Sequence, residues 1–281
     1  MMNPGRCNPN SITRTAVPDQ TVYLLAFQTP QGKPLALFSN YSTHYAGVRG
    51  NVMSADYYGV YRNAIGKLIG APDNFVAIMS NGTSGDTNCI DFLKKAEDQK
   101  FDIDIVGNGM AQTVAKAYTK IKFVDWVPLA YEQREVTLKV LKPSAADIAE
   151  AKEHFVKTKN PEMKLRNRTD FYAQSTVLLE TMPNEKTSKL QAIRVGDLGI
   201  VTMPFEVYSF TGHDLRANSP FGTTFVISLA NGCNGYLPTA DAFSVGGYTT
   251  WRSARRNTGP EAEPIVRGTA LDMLRQLAVS Q

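Results

Sequence analysis

The stretch Leu35-Ala36-Leu37-Phe38-Ser39-Asn40-Tyr41-Ser42-Thr43-His44-Tyr45-Ala46-Gly47 sets the fold class of this chain. Its apolar opening reads as a buried strand. The strand then empties into small polar residues, a histidine and a glycine. In α/β proteins, side chains that leave the sheet at such strand ends face a crevice, and chemistry gathers there. His44 has two readings at this point: a packed, hydrogen-bonded residue, or a ligand. Upstream, Val22-Tyr23-Leu24-Leu25-Ala26-Phe27 is a second strand-like run. The turn Thr29-Pro30-Gln31-Gly32-Lys33 separates the two, which predicts a β-hairpin with a loop of about five residues.

The pattern repeats outward from there. Tyr57, Val60, Tyr61, Ala64 and Leu68 recur at helical spacing and Gly70 is a stop, predicting a helix over 57–69. The short run Asn74 to Met79 predicts a buried strand. It releases the polar loop Ser80-Asn81-Gly82-Thr83-Ser84-Gly85-Asp86-Thr87-Asn88. Residues 103–121 read as a helix and 122–141 as extended chain. Ser144 followed by Asp147 is a near capping box at the start of another helix. His154 lies in that charged helix and is expected to be solvated. A further helix is expected near 171–180. Leu190 to Val195 and Leu198 to Met203 flank Gly196-Asp197, a tight hairpin. Its second strand runs into Pro204-Phe205-Glu206. Thr223 to Leu229 is another buried strand, followed by Ala230-Asn231-Gly232-Cys233-Asn234-Gly235-Tyr236 and then Gly246-Gly247-Tyr248. Residues 264–277 form a closing amphipathic helix.

Composition narrows the class. Over 281 residues, 43% are hydrophobic and 20% charged, as in a folded globular protein. The net charge of +4 is spread in short runs, and no basic stripe with interleaved aromatics points to nucleic acid. No apolar run approaches the roughly 20 residues that cross a bilayer. The three cysteines, Cys7, Cys89 and Cys233, have neither disulfide-framework nor zinc-knuckle spacing. The first residues carry no apolar export segment and read as loop interior. We expect one domain over residues 1–281.

Four strand ends therefore carry polar loops: at His44, at Asn81–Asn88, at Glu206, and over Asn231–Tyr248. Such loops are often only turns. In this order they resemble the catalytic domain of the neutral/alkaline, non-lysosomal ceramidases and their bacterial relatives. The segments that carry the resemblance are Asn3-Pro4-Gly5, Asn40 to Gly47, Ser54-Ala55-Asp56, Asn81 to Asp86, Met203 to Glu206, Leu229 to Gly232, Gly235 to Thr239 and Gly246 to Tyr248. They span most of the chain, and their specificity lies in joint order rather than in any one motif.

The resemblance implies a fold of mixed β-sheets flanked by α-helices, an α/β class. It implies hydrolysis of an amide (N-acyl) or related carbonyl bond with one zinc ion, on a small-molecule or lipid, sphingolipid-like substrate. By motif, His44, Glu206 and Tyr248 are the expected metal ligands, and Asp86 and Asn88 the expected catalytic-loop residues. Imidazole nitrogen and carboxylate oxygen are donors that zinc accepts. The family pattern also has a first histidine and an arginine upstream of the matched region. It has a serine where this chain has Asn88, a further tyrosine downstream of Tyr248, and a C-terminal immunoglobulin-like domain. Relatives are mostly exported. These departures keep a second reading open: a truncated or degenerate member without catalysis that binds a lipid or glycan-like ligand. Nothing in the sequence selects an oligomeric state.

Overall fold

The structure is a computed structural model, and it describes residues 5–48 and 50–279. Asn3 and Pro4, part of one resembling segment, lie outside the described residues. Strands β1 (Val22–Gln28) and β2 (Pro34–Tyr41) form the expected antiparallel hairpin. Helix α1 (Asp56–Leu68) then crosses to β3 (Val76–Asn81), which pairs parallel to β2, with Tyr41 opposite Asn81. Helix α2 (Ile103–Tyr118) packs on α1. A second sheet follows: β4 (Leu129–Lys139), β5 (Glu185–Val195), β6 (Leu198–Thr202) and β8 (Thr223–Ile227), in that spatial order. The extended stretch of the sequence reading shrinks to the eleven residues of β4. Between β4 and β5 sits a helical hairpin, α3 (Ala145–Lys157) and α4 (Arg168–Thr181). Strand β6 leads through the two-residue β7 (Glu206–Val207) and α5 (Ser209–Asn218) to β8, which lies parallel to β6. The chain ends with β9 (Tyr236–Leu237), α6 (Ala240–Val245), a 3-10 turn at Tyr248–Thr250, and α7 (Ala262–Val279). Among the described residues, no helix is long and apolar enough to cross a membrane.

Alternation along the strands builds four layers. On β2, Leu37 faces Tyr61 and Ile65 of α1 and Met110, Ala111 and Val114 of α2. Its neighbour Phe38 points the other way, into a cluster with Tyr23, Leu25, Leu198, Ile200 and Phe225. On β6, Val201 faces the opposite side, toward Val266, Ala270, Met273 and Leu274 of α7. The order is thus helices, three-stranded sheet, four-stranded sheet, helices. Both sheets are covered on both faces near their centres, which accounts for the near-continuous apolar runs of β6 and β8. Phe225 is fully buried between the sheets, with ring centroids 5.6 Å from Phe38 and 6.1 Å from Tyr23.

The capping box is present: Ser144 and Asp147 exchange side-chain bonds to each other's backbone N–H. His154 departs from its expectation. Its Nε2 lies 2.7 Å from Asp170, a fully buried carboxylate that also accepts from Arg166 Nε at 2.9 Å. The helical hairpin folds this side chain inward because Asp170 sits in the first turn of α4, facing α3. Arg166, and then His154, hold the Asp170 carboxyl well below the usual carboxylate range.

Two outcomes are expected. Phe225→Ala should cost about 3–5 kcal/mol in urea denaturation, because the cavity opens between two sheets that cannot close on it. A carboxyl with a depressed folded-state pKa adds stability above its unfolded value and loses it as pH falls. Wild-type protein should therefore lose more stability between about pH 5 and pH 2 than Asp170→Asn does; equal slopes would remove Asp170 from the acid response.

Candidate functional site

The strand ends of the two sheets meet. Ser228, just past β8, donates its N–H to the Asn81 carbonyl at the end of β3 (3.0 Å), and Asn40 Nδ2 on β2 donates to the Val226 carbonyl on β8 (3.2 Å). Both parallel pairs thereby open on the same side, and their loops converge.

His44 follows β2. Its backbone N–H donates to the Thr87 carbonyl at 3.1 Å, and its Nδ1 lies 3.1 Å from the same oxygen. A carbonyl only accepts, so Nδ1 carries the hydrogen and Nε2 presents a lone pair. That Nε2 lies 3.8 Å from Glu206 Oε2. A neutral imidazole nitrogen and a carboxylate oxygen are both acceptors. Facing each other at this distance, they call for positive charge between them, either a second ring proton or a metal cation.

Glu206 is held from both sides. Its N–H donates to the Gly235 carbonyl (2.9 Å), and as part of β7 it pairs with Tyr236 of β9. The Tyr236 phenol is half-buried and interacts with Tyr248 and with the Glu206 carboxylate; all of these push its pKa up, partial burial foremost. The rings of Tyr236 and Tyr248 meet edge to face, centroids 5.7 Å apart. His44, Glu206 and Tyr248 are therefore linked in one half-buried cluster, with Tyr236 as the connecting residue. The sequence reading quoted Tyr236 only inside a matching segment. Its side chain is selected by strand pairing with Glu206, thirty residues earlier in the chain, for which no local signal exists.

The Asn81–Asn88 loop lies against β7. The N–H of Gly85 donates to the Val207 carbonyl at 2.7 Å, and a Cβ at Gly85 would sit 2.5 Å from the Glu206 carbonyl oxygen. Only glycine allows that approach. Asp86 then turns toward α5: Oδ1 accepts the Ser209 N–H at 2.7 Å and Oδ2 the Ser209 hydroxyl at 3.0 Å. Asp86 thus caps the N-terminus of a helix distant in sequence, and burial raises its pKa against these bonds. Asn88 Oδ1 accepts the Ile90 N–H at 3.2 Å, closing a turn. His213 Nε2 is bound to the Val17 carbonyl (3.0 Å). Among the described residues, no group of three or more His, Cys, Asp and Glu side chains could hold a metal ion. Any metal at this cluster would draw on the phenol oxygens beside His44 and Glu206.

Asp86→Ala should cost about 1–2 kcal/mol in chemical denaturation through loss of the cap on α5, with Asp86→Asn recovering part of it. A neutral result would show that Ser209 finds water instead.

No protein-family model matches the sequence, and no curated protein matches it. Solved structures do match. A neutral ceramidase from Pseudomonas aeruginosa superposes with a TM-score of 0.65 at 14% identity, over 92% of this chain and 47% of that one. A ceramidase complexed with C2 gives a TM-score of 0.66 at 14% identity, over 93% and 48%. The chain spans about half the length of these structures. At this identity the likeness establishes the fold: a mixed α/β, ceramidase-like architecture of helix-flanked sheets.

Proposed function

We propose that this protein is a ceramidase-like hydrolase that cleaves an amide (N-acyl) or related carbonyl bond at the His44–Glu206 cluster, with zinc as its cofactor. The observation that carries the reading is the approach of His44 Nε2 and Glu206 Oε2, 3.8 Å apart at the meeting point of two sheets. The ceramidase-like fold supports it at the level of architecture.

The residue types gathered here, an imidazole, a carboxylate and two phenols, are ones that a metal accepts, which supports the reading. The Thr87 carbonyl fixes the His44 tautomer and ring plane, the arrangement that outer hydrogen bonds give metal-ligating histidines. Glu206 supplies a carboxylate, and Tyr236 and Tyr248 bring phenol oxygens to the same place. When bound there, zinc would polarise a carbonyl and bring the pKa of bound water toward about 7.

The protein's own groups do the positioning. His44 and Glu206 would hold opposite sides of the reacting centre. The Tyr236 phenol, held against Tyr248 and Glu206, would orient the carboxylate within the site. Asp86 has both oxygens engaged by Ser209, so its part is to fix the loop that carries Thr87 and hence His44. Asn88 borders that loop with its carbonyl oxygen in a turn, and its proposed part is to position substrate or water. An apolar or lipid-like acyl group is the expected substrate part.

Metal analysis with titration of zinc, together with hydrolysis of a fluorogenic N-acyl amide, tests the proposal. Zinc should bind, raise the melting temperature and be required for cleavage. His44→Ala and Glu206→Gln should each weaken zinc by more than the roughly 10–100-fold that loss of an outer partner costs. Zinc at background in wild type, with no cleavage, would leave the non-catalytic ligand-binding reading.

A further inference from the structure

Arg252, Arg255 and Arg256 follow one another closely after Tyr248, but they end in different places. Arg252 reaches out to Asp147 at 2.8 Å. Arg256 turns inward. A tight turn closes around it, with Ser253 N–H donating to its carbonyl (2.7 Å) and its own N–H donating to Ser253 Oγ (3.1 Å). The turn packs on Gly235, where a Cβ would come within 2.7 Å of Arg256 Cβ. Arg256 is 8% exposed. Its guanidinium carbon lies 5.9 Å from the centre of the Tyr236 ring, the ring that borders Glu206. Its charge is also felt at the Tyr208 hydroxyl, which donates to Thr249 Oγ1 at 2.7 Å.

Two other inward arginines have acids, and Arg194 has backbone carbonyls. Arg216 pairs with Asp19 at 2.7 Å, and Arg267 with Asp214 and Glu263 at 2.6 and 2.8 Å. Among the described residues no carboxylate pairs with Arg256, and its Nε is buried with no hydrogen-bond partner. A guanidinium taken out of water without a counter-charge is costly, and a ring at 5.9 Å returns only part of that cost. A planar fork of donors against Tyr236, beside Glu206, is suited to a carboxylate or phosphate.

We propose that the His44–Glu206–Tyr236 cluster recognises an anionic group on its ligand through Arg256. If that cluster is the hydrolytic site proposed above, the substrate is an N-acyl compound that also carries an oxyanion, such as an N-acylated amino acid. The inference rests on that site reading for its location only.

The test is equilibrium binding and thermal melting of the full chain at constant ionic strength. The probes are acetate, inorganic phosphate, N-decanoylglycine and its methyl ester. Wild type should bind the acid at least about tenfold more tightly than the ester. The acetate and phosphate arms should show which oxyanion raises the melting temperature. Arg256→Met should keep or raise the melting temperature, since an unpaired buried charge is removed, yet bind acid and ester alike. Arg256→Lys, which keeps the charge and loses the fork, should weaken the preference and serves if the Met variant does not fold. The inference is overturned if wild type shows no preference, if either variant keeps it in full, or if Arg256→Met melts far lower while Arg256→Lys binds as wild type does. Because binding is read without turnover, an absence of hydrolysis would defeat the catalytic reading and leave this one to its own result. Equal, Arg256-independent cleavage of acid and ester would do the reverse.

Discussion

The bond from the Ser228 N–H to the Asn81 carbonyl, with Asn40 reaching across to Val226, ties together at their strand ends two sheets that elsewhere meet through apolar packing around Phe225. Each sheet contains one parallel strand pair, β2 with β3 and β6 with β8, and each pair is closed by a helical crossover. Parallel pairing obliges both strands to end on the same side. Once the two pairs are tied at those ends, every loop that leaves them enters the same space. His44, the Gly85-Asp86 loop, Glu206 and the segment bearing Tyr236 and Tyr248 are brought together by this constraint rather than by any local feature of their own.

Close packing then converts proximity into geometry. Gly85 lets the loop lie on the β7 backbone, and Asp86 pins it to the start of α5. The Thr87 carbonyl, now fixed, orients the His44 ring toward Glu206. On the opposite wall, β7 and β9 pair over two residues only, yet that suffices to set Tyr236 beside Glu206. The site is therefore preorganised by backbone contacts. In the same wall lies Arg256, a buried cation that no carboxylate among the described residues meets.

Much of this was legible in the residues. The hairpin of β1 and β2, the helix α1, the capping box at Ser144, the hairpin around Gly196-Asp197 and the strand β8 follow from periodicity and turn chemistry, which are local. The alternation in β2 even separates Leu37 from Phe38, although which layer each would meet was not readable. The reading of His154 as a solvated residue failed because its partner, Asp170, lies across a helical hairpin sixteen residues on. The extended stretch after residue 122 was read too long because much of it satisfies no strand partner until Leu129.

The candidate site divides in the same way. The amino-acid sequence alone indicated that polar, glycine-bearing loops would stand at strand ends, and the resemblance of those loops singled out His44, Glu206 and Tyr248. Residue type and strand length decide those matters within a few positions. Only the tertiary structure decided that His44 and Glu206 face each other, that Tyr236 connects Glu206 to Tyr248, that Asp86 is spent on capping α5, and that Arg256 points inward. Each of these depends on pairing between segments tens of residues or more apart. Such pairing is set by the layer packing of the whole chain, which no local window of residues contains.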